Sequence, residues 1–292
     1  MAAVLTETAP AKINLSLRVL GQRADGYHLL ESLVVFADLA DTLTFEPGGE
    51  TALATGGPFA AASGPLDGNL VLKAVAALRA RVPGLKAGRF VLQKNIPVAA
   101  GLGGGSADAA AALRLLARAN GLDLDDARLA ASAPAIGADV PVCLESHARI
   151  MRGVGEELLD ALDLSDFAAV LVNPRVPLST REVFAGLAGR FSGKPLLQDV
   201  PREREALLAW LAVNGNDLTQ PAIACVPVIA DVLQALGSLP GVRLARMSGS
   251  GPTCFALFNA ADEATAAARR IQAEHKDWWV HTAMLSAKGV RP

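Results

Sequence analysis

Cysteines and aromatic residues are scarce in this chain. Its 292 residues include three cysteines, three tryptophans and one tyrosine. Cys143, Cys225 and Cys254 are odd in number, far apart in sequence and flanked by apolar residues. This pattern predicts reduced, buried thiols and excludes a disulfide framework or a cysteine metal site.

Long apolar runs and an excess of positive charge are also missing. No segment approaches the roughly 20 apolar residues of a membrane span, and the first residues lack the basic region of a signal peptide. The net charge is -2 and the pI is about 6.1, and no Lys/Arg cluster dominates any segment, which argues against a nucleic-acid surface. We therefore expect a cytoplasmic protein with neither nucleic acid nor membrane as partner, and we take a monomer or weak dimer as its expected state.

Glycine, by contrast, is concentrated in one stretch, NIPVAAGLGGGSADAAAALRLLARAN at residues 95–120. Successive glycines let backbone N–H groups converge on one point, and the helix predicted to open at Ser106 and Asp108 adds unsatisfied N–H groups and a dipole. The run is therefore a candidate phosphate cradle. Two other interpretations stay open at this point: an ordinary turn, and an N-cap role for Ser106.

The spacing of these glycines excludes two common phosphate motifs. A P-loop needs a lysine before the serine, and Gly105 directly precedes Ser106. The dinucleotide fingerprint needs a glycine three residues after Gly103, where Ser106 stands. In the helix that follows, alanines favour close packing, and Arg114 and Arg118 are predicted to share a solvated face.

The remaining pattern favours an α+β fold. Residues 12–20 alternate as a half-buried strand with a polar face, and strands are predicted at 29–39, 42–47 and 89–94. Asn69 should cap a helix over 70–82, and residues 136–144 are predicted to form a turn that enters a strand. The last third predicts an antiparallel sheet with helices on one side. The predicted domains are 1–157 and 158–292, and the final strand of the second could pack back on the first.

Three separated segments carry a resemblance to known enzymes. In order, PAKINLSLRVLGQRADGYHLLES, IPVAAGLGGGSADAA and MSGSGPTCFALF resemble the motifs of the small-molecule kinases that include galactokinase, homoserine kinase, mevalonate kinase and phosphomevalonate kinase. Within that superfamily, GQRADGYH, GADVPV and GVGE resemble the 4-diphosphocytidyl-2-C-methyl-D-erythritol kinase family. The resemblance implies a two-domain fold with the active site in the cleft between the domains, and it makes 1–157 the domain for ATP binding and catalysis. It also implies ATP-dependent phosphorylation of the 2-hydroxyl of this sugar alcohol in the non-mevalonate isoprenoid pathway.

The resemblance also assigns roles to individual residues. It places the catalytic pair at Lys12 and Asp139. It implies ATP binding by Lys94, Pro97, Gly101, Gly103, Gly104, Gly105, Ser106, Ser248 and Gly249, and substrate binding by Asn14, Tyr27, His28, Asn69, Thr180 and Phe184. No metal ligand is placed, so Mg²⁺ is expected to arrive with ATP.

Each of these residues has a plainer interpretation. Asp139 fits a cap or turn, Lys12 a solvated lysine, and Asn69 and Thr180 helix caps. Another superfamily kinase, such as a homoserine kinase, and a non-catalytic ligand-binding relative remain alternatives. A base pocket has no purpose with a small amino acid substrate, and the presence of both Lys12 and Asp139 argues against a non-catalytic protein.

Overall fold

One sheet organises the chain. The computed structural model describes residues 3–195 and 199–290, and within these ranges the sheet has eleven strands. They are β1 (Leu5–Asn14), β2 (Arg18–Gln22), β3 (His28–Pro47), β4 (Ala52–Gly56), β5 (Gly88–Gln93), β6 (Arg149–Arg152), β7 (Glu157–Leu158), β8 (Phe167–Asn173), β9 (Leu244–Met247), β10 (Cys254–Phe258) and β11 (Trp279–Ser286). The main path runs β4-β5-β3-β11-β8-β10-β9.

Strand β3 joins the two halves of the chain. It pairs antiparallel with β1, β2, β5, β6 and β11. The sequence predicts two shorter strands here, at 29–39 and 42–47, but the structure has one strand of 20 residues. Asp41 interrupts the apolar pattern without ending the strand, because its carboxylate is buried against Lys94.

Helices pack on both faces of this sheet. They are α1 (Leu70–Arg79), α2 (Gly104–Asn120), α3 (Ala127–Ile136), α4 (Val140–Glu145), α5 (Thr180–Ala185), α6 (Arg204–Val213), α7 (Thr219–Cys225), α8 (Val228–Gly237) and α9 (Ala261–Glu274). The predicted α+β class is confirmed, and α1 and β5 begin within a residue of the predicted positions. No helix in the described ranges is both long enough and apolar enough to cross a bilayer.

Helix α2 is enclosed by protein. Residues 107–117 are all buried, because the alanines allow α1, α3, α4 and β1 to approach closely. The prediction of a solvated Arg114 is therefore wrong. Its guanidinium bonds Glu7 Oε2 at 3.1 Å, Thr8 O at 2.7 Å and Cys143 O at 3.0 Å. Arg118, one turn later, remains partly exposed.

In the last third, the prediction of helices on one side of the sheet is wrong. Strand β8 is buried on both faces. Ala168, Val170 and Val172 belong to a core that includes residues of α8 and α9, whereas Ala169 and Leu171 belong to a core that includes residues of α6. The apolar sequence of β8 is thus explained by burial on two sides.

Three local predictions need correction. The strand predicted at 12–20 is two strands, β1 and β2. Lys12, Asn14 and Ser16 are buried, because protein groups satisfy their polar atoms, as where Lys12 Nζ donates to Asn14 Oδ1 and Asn14 Nδ2 to Ser32 Oγ. Residues 140–145 form α4, since a proline in the first turn suits a helix start. Cys143 and Cys254 are buried as predicted, but Cys225 is exposed.

The predicted boundary at residue 157 falls within β7. Strand β11 pairs with β8 over most of its length and with β3 at Leu285 and Ser286. The hydrogen-bonded sheet therefore continues from one predicted domain into the other, and the division at 157 stays a prediction.

Candidate active site

A single cavity of about 1290 Å³ contains almost every residue that the sequence assigns to a site. Its walls come from β1, the β2–β3 connection, the glycine run, the start of α4, α5 and the turn at 248–251. It is lined by Lys12, Asn14, Tyr27, His28, Asn69, Lys94, Pro97, Gly101, Gly103, Gly104, Gly105, Ser106, Asp139, Thr180, Phe184 and Gly249. Ser248 does not line it.

The glycine run forms a concave loop that ends at the N-terminus of α2. Gly101 and Gly103 have φ values of 74° and 64°, a region that L-residues with side chains rarely adopt. Helix α2 begins at Gly104 with Gly103 as its N-cap and receives no side-chain cap, so its first N–H groups stay available for an anion. The predicted helix start at Ser106 is wrong by two residues, and Ser106 is not the N-cap.

The turn at 248–251 packs directly on this loop. A Cβ on Gly101 would lie 2.4 Å from Ser248 O, so the two backbones touch only because Gly101 has no side chain. Ser248 is buried behind the loop, where its Oγ donates to Gly101 O at 2.9 Å and accepts from Asn14 N at 3.1 Å. Ser248 therefore fixes the loop, and Gly249 and Ser250 face the cavity.

Lys12 and Asp139 form an ion pair beside the loop. Lys12 Nζ lies 3.2 Å from Asp139 Oδ2 and donates to Asn14 Oδ1 at 2.8 Å. Both residues line the cavity, but the Lys12 side chain is 5% exposed and that of Asp139 is 35% exposed, so the carboxylate is the more accessible partner. Asp139 precedes α4 but its side chain does not cap that helix. This geometry leaves the carboxylate free to accept a proton from a bound hydroxyl.

Aromatic side chains form the far end of the cavity. The His28 and Phe184 rings lie 4.9 Å apart with 33° between their planes, and Phe191 approaches His28 edge-on at 6.0 Å. Burial lowers the pKa of His28 below its usual value. Tyr27 is 64% exposed at the rim. The sequence interpretation did not include Phe191, which lies in a loop with no pattern to distinguish it.

Two predicted substrate residues use their side chains locally. Asn69 Oδ1 accepts from Val71 N at 2.9 Å and so caps α1, as its plainer interpretation holds. Thr180 Oγ1 lies 2.8 Å from Ser250 Oγ, which joins α5 to the 248–251 turn across the cavity.

Lys94 is buried beneath the first turn of α2. Its ammonium bonds Asp41 Oδ2 and, at 2.7 Å, Asp108 Oδ2. Burial acts to lower the pKa of Lys94, but the charges of Asp108 and Asp41 outweigh it and raise the pKa. Sequence reasoning missed both carboxylates as site residues, since neither differs in pattern from an ordinary helix-start or strand-end acid.

Comparison with known proteins decides the family. The sequence models of the GHMP kinases N terminal domain and the GHMP kinases C terminal domain match residues 69–147 and 196–277. The 4-diphosphocytidyl-2-C-methyl-D-erythritol kinase of Bradyrhizobium diazoefficiens is 56% identical over 97% of this chain and 98% of its own. The kinase of the same name from Methylobacterium radiotolerans is 53% identical over 97% of this chain and 99% of its own. The chain belongs to the 4-diphosphocytidyl-2-C-methyl-D-erythritol kinase family of the GHMP kinases.

Solved structures agree with this family. A 4-(cytidine 5'-diphospho)-2C-methyl-D-erythritol kinase superposes with a TM-score of 0.80 at 34% identity, over 97% of this chain and 99% of that one. A homoserine kinase from Cytophaga hutchinsonii superposes with a TM-score of 0.69 at 18% identity, over 100% of this chain and 98% of that one. At this identity the likeness supports the fold alone. The family's N terminal match contains the glycine loop and Asp139, and its C terminal match contains the 248–251 turn.

Proposed function

We propose that this chain transfers the γ-phosphoryl group of ATP to the 2-hydroxyl of 4-diphosphocytidyl-2-C-methyl-D-erythritol, a step of the non-mevalonate isoprenoid pathway. One observation carries the proposal: a backbone anion cradle, a Lys12–Asp139 pair and an aromatic wall share one cavity. The relatives' names support the same reaction. The cavity volume of about 1290 Å³ is large for a single small ligand and suits a nucleotide and a second substrate together.

In this proposal the glycine loop holds the ATP phosphates. The available N–H groups of the first turn of α2 and the positive end of its dipole face the cavity. Phosphoryl transfer needs little covalent chemistry from the protein, so fixed donors and correct positioning supply most of the rate. The contact between Gly101 and the 248–251 turn keeps this loop in place without any side chain between backbone and phosphate.

Lys12 and Asp139 act at the transferred group. The Asp139 carboxylate accepts the proton of the attacking hydroxyl, and the Lys12 ammonium stabilises the carboxylate and offsets charge on the phosphoryl oxygens. Asn14 fixes the lysine, because its Oδ1 accepts from Lys12 Nζ while its Nδ2 donates to Ser32 Oγ at 2.7 Å. The position of the Lys12 ammonium is thereby fixed before any substrate binds.

The aromatic wall selects the cytosine base. Burial lowers the pKa of His28, so its imidazole is neutral at physiological pH and offers one donor and one acceptor to a pyrimidine edge. Phe184 supplies a stacking surface beside it, and the exposed Tyr27 can close over the base. Asn69 and Thr180 line the cavity as well as making their local bonds, and in this proposal they also contact polar groups of the substrate.

Mg²⁺ is proposed to enter with ATP and to offset charge on the phosphates. Within residues 3–195 and 199–290, no group of three or more His, Cys, Asp or Glu side chains is arranged to hold a metal ion. In this proposal phosphates and water supply most of the ligands of Mg²⁺.

A direct test measures ADP release by the purified chain with a panel of acceptors. The panel contains 4-diphosphocytidyl-2-C-methyl-D-erythritol, homoserine, mevalonate and galactose, each with Mg²⁺ and ATP. Of these four acceptors, we expect the chain to phosphorylate only 4-diphosphocytidyl-2-C-methyl-D-erythritol, which we call the cytidylyl alcohol. Turnover of homoserine or mevalonate at a higher kcat/KM would contradict the proposed substrate, and no turnover with any acceptor would contradict the kinase assignment.

A further inference from the structure

Residues 214–217, with the sequence NGND, connect α6 to α7 and support the cavity from behind. Their main chain pairs with the link between β1 and β2: Leu17 N donates to Gly215 O at 2.9 Å, and Asp217 N donates to Leu17 O at 2.9 Å. Leu17 and Leu218 line the cavity, but none of residues 214–217 does. This α6–α7 connection therefore lies against the wall of the cavity without forming its surface.

A buried arginine fixes the start of the connection. Arg246, on β9, donates from Nη1 to Asn214 O and Leu15 O and from Nη2 to Leu211 O, each at 2.7 Å. Burial lowers the pKa of Arg246 to about 10, so the guanidinium is charged at neutral pH and suits the carbonyl groups at the end of α6. The connection, β9 and the end of β1 are thereby joined.

Asn216 bonds the turn at 248–251. Its Nδ2 donates to Met247 O and to Gly249 O, each at 2.8 Å. Gly249 faces the cavity, and a Cβ on it would lie 3.1 Å from Gly101 O. The amide of Asn216 therefore holds the main chain of the turn where it packs against the glycine loop.

Asp217 bonds the loop that carries Phe191. Its Oδ2 accepts from Val19 N at 2.8 Å and from Ser192 Oγ at 2.6 Å. Phe191, the residue before Ser192, approaches the His28 ring edge-on at 6.0 Å. The carboxylate therefore ties this loop to β2 and holds one ring of the aromatic wall in place.

Two adjacent side chains thus reach different parts of the cavity wall. Consecutive side chains of an extended chain point to opposite sides, and Asn216 forms a parallel β-bridge with Leu17. The bonds of Asn216 and Asp217 agree with this rule, because one side chain reaches the 248–251 turn and the other reaches β2 and Ser192.

We propose that Asn216 and Asp217 are positioning residues for different substrates: Asn216 for ATP, through the 248–251 turn, and Asp217 for the cytidylyl alcohol, through Phe191. Neither residue touches a substrate. This inference rests on the proposed function, which assigns the glycine loop to the ATP phosphates and the aromatic wall to cytosine. It goes beyond that function by giving separate control of the two substrate sites to neighbouring residues outside the cavity.

The first test replaces Asn216. Initial rates are measured with each substrate varied in turn, beside thermal melting. Asn216→Ala leaves two buried carbonyl groups of the turn without their donor, so we expect the KM for ATP to rise roughly tenfold with little change in the KM for the cytidylyl alcohol. Asn216→Asp keeps the size of the side chain and the oxygen that accepts from Leu218 N at 2.9 Å, but not the donor. It should give the same pattern, and it carries the test if the alanine variant does not fold.

Asn214→Ala is the matched control. Asn214 is an asparagine of the same connection, but its Nδ2 donates to Trp210 O at 2.8 Å within α6. Loss of this side chain should leave both KM values unchanged. A rise in the KM for ATP as large as that of Asn216→Ala would show that any loosening of the connection has this effect, and would overturn the role of the Asn216 amide.

The second test replaces Asp217. Asp217→Ala frees the loop, so we expect the KM for the cytidylyl alcohol to rise roughly threefold, the loss of one ring contact, with little change in the KM for ATP. Asp217→Asn keeps an oxygen that can accept from both Val19 N and Ser192 Oγ and should restore the KM. An asparagine variant as impaired as the alanine variant would overturn the role of these two hydrogen bonds.

The opposite pattern of the two variants decides the inference. Equal rises in both KM values for Asn216→Ala and for Asp217→Ala, or no rise in either, would overturn the inference and leave the proposed function intact. A lower melting temperature alone would do the same, because it would show only a structural role. Absence of ATP-dependent turnover of the cytidylyl alcohol by the unmodified chain would overturn the proposed function as well.

Discussion

The two ends of the cavity are built by different means. At the end proposed to bind the ATP phosphates, which we call the phosphate end, the surface is main chain: positive-φ glycines, the start of α2 and a turn whose backbone touches Gly101. At the end proposed to bind cytosine, which we call the base end, the surface is made of side chains carried by a loop and a short helix, with Tyr27 64% and Phe191 36% exposed. A backbone surface has no room for added atoms, whereas rings on exposed loops can shift.

This difference predicts different responses to mutation. One added methyl group at the phosphate end displaces a catalytic side chain or a neighbouring backbone, so effects should be large. Loss of a ring at the base end removes one stacking contact among several, each about 0.5–1.5 kcal/mol, so effects should be graded. The following predictions run from the largest effect to the smallest.

The Lys12–Asp139 pair, between the two ends, should give the largest effect. Asp139→Asn keeps the shape but not the charge, and we expect kcat to fall by about 10²–10⁴-fold with ATP affinity little changed. Lys12→Met should lose a similar amount. Because the two charges lie 3.2 Å apart and act together, the double variant should be scarcely worse than either single one.

Steady-state kinetics and thermal melting check this prediction. A loss in kcat smaller than about tenfold for Asp139→Asn, beside a large loss for Lys12→Met, would move the proton acceptor elsewhere. The cap interpretation of Asp139 predicts lower stability with normal kcat. That outcome is already disfavoured, since the side chain does not cap α4.

Gly103 tests the backbone surface. Gly103→Ala places a Cβ 3.2 Å from both Cβ and Cε of Lys12 at a φ of 64°, and we expect the loop and Lys12 to shift and kcat/KM for ATP to fall roughly 10–100-fold. Gly121, at the other end of α2, has a φ of 65° and nothing within 4 Å of its Cβ position.

Gly121→Ala is therefore a matched control. Both variants should lose about 1 kcal/mol of unfolding free energy from the left-handed conformation, measured by denaturant unfolding. Only Gly103→Ala should lose kinase activity. Equal activities in the two variants would show that the cradle tolerates side chains and would remove the contrast between the two ends.

The concave shape of the glycine loop could be predicted from the sequence for a physical reason. Glycines and the helix that follows them are local in sequence, so their geometry can be inferred without the rest of the chain. The position of α2 could not be inferred. Arg114 was predicted to be solvated because helical periodicity cannot show that a second layer covers the polar face.

Buried polar residues were the main failure elsewhere. Lys12, Asn14 and Ser16 alternate with apolar residues as in a half-exposed strand, yet all three are buried. Their partners, Ser32 and Ser248, lie far away in sequence. Asp41 and Asp108 were missed for the same reason. Only the folded structure brings these partners together. The alternation of polar and apolar residues therefore cannot show whether the polar face of a strand is exposed to solvent or buried against polar partners.

His28 tests the base end. His28→Ala removes the ring that lies 4.9 Å from Phe184 and the proposed contact to the base. We expect the KM for the cytidylyl alcohol to rise about 10-fold, with little change in the KM for ATP. Initial rates with each substrate varied in turn measure both values. Equal rises in the two KM values would instead indicate a structural histidine.

Phe191 should give the smallest effect, and it tests whether the base end is shaped by its loop. The loop is anchored because Ser192 N donates to Val19 O at 2.7 Å and Ser192 Oγ to Asp217 Oδ2 at 2.6 Å, so the edge contact of Phe191 with His28 is held in place. Phe191→Ala should raise the KM for the cytidylyl alcohol by about threefold, the loss of one ring contact.

The same change should alter the titration of His28. Burial lowers the pKa of His28, and removal of the Phe191 ring lets water reach the imidazole and stabilise its charged form, so the pKa should rise toward its ordinary value. Phe191→Leu keeps apolar cover and should hold the pKa low, while Val213→Ala, at a remote exposed position, should change nothing. NMR of the His28 ring over pH measures this directly. A His28 pKa that is the same in all three variants would show that Phe191 does not shape the base site, whatever happens to KM.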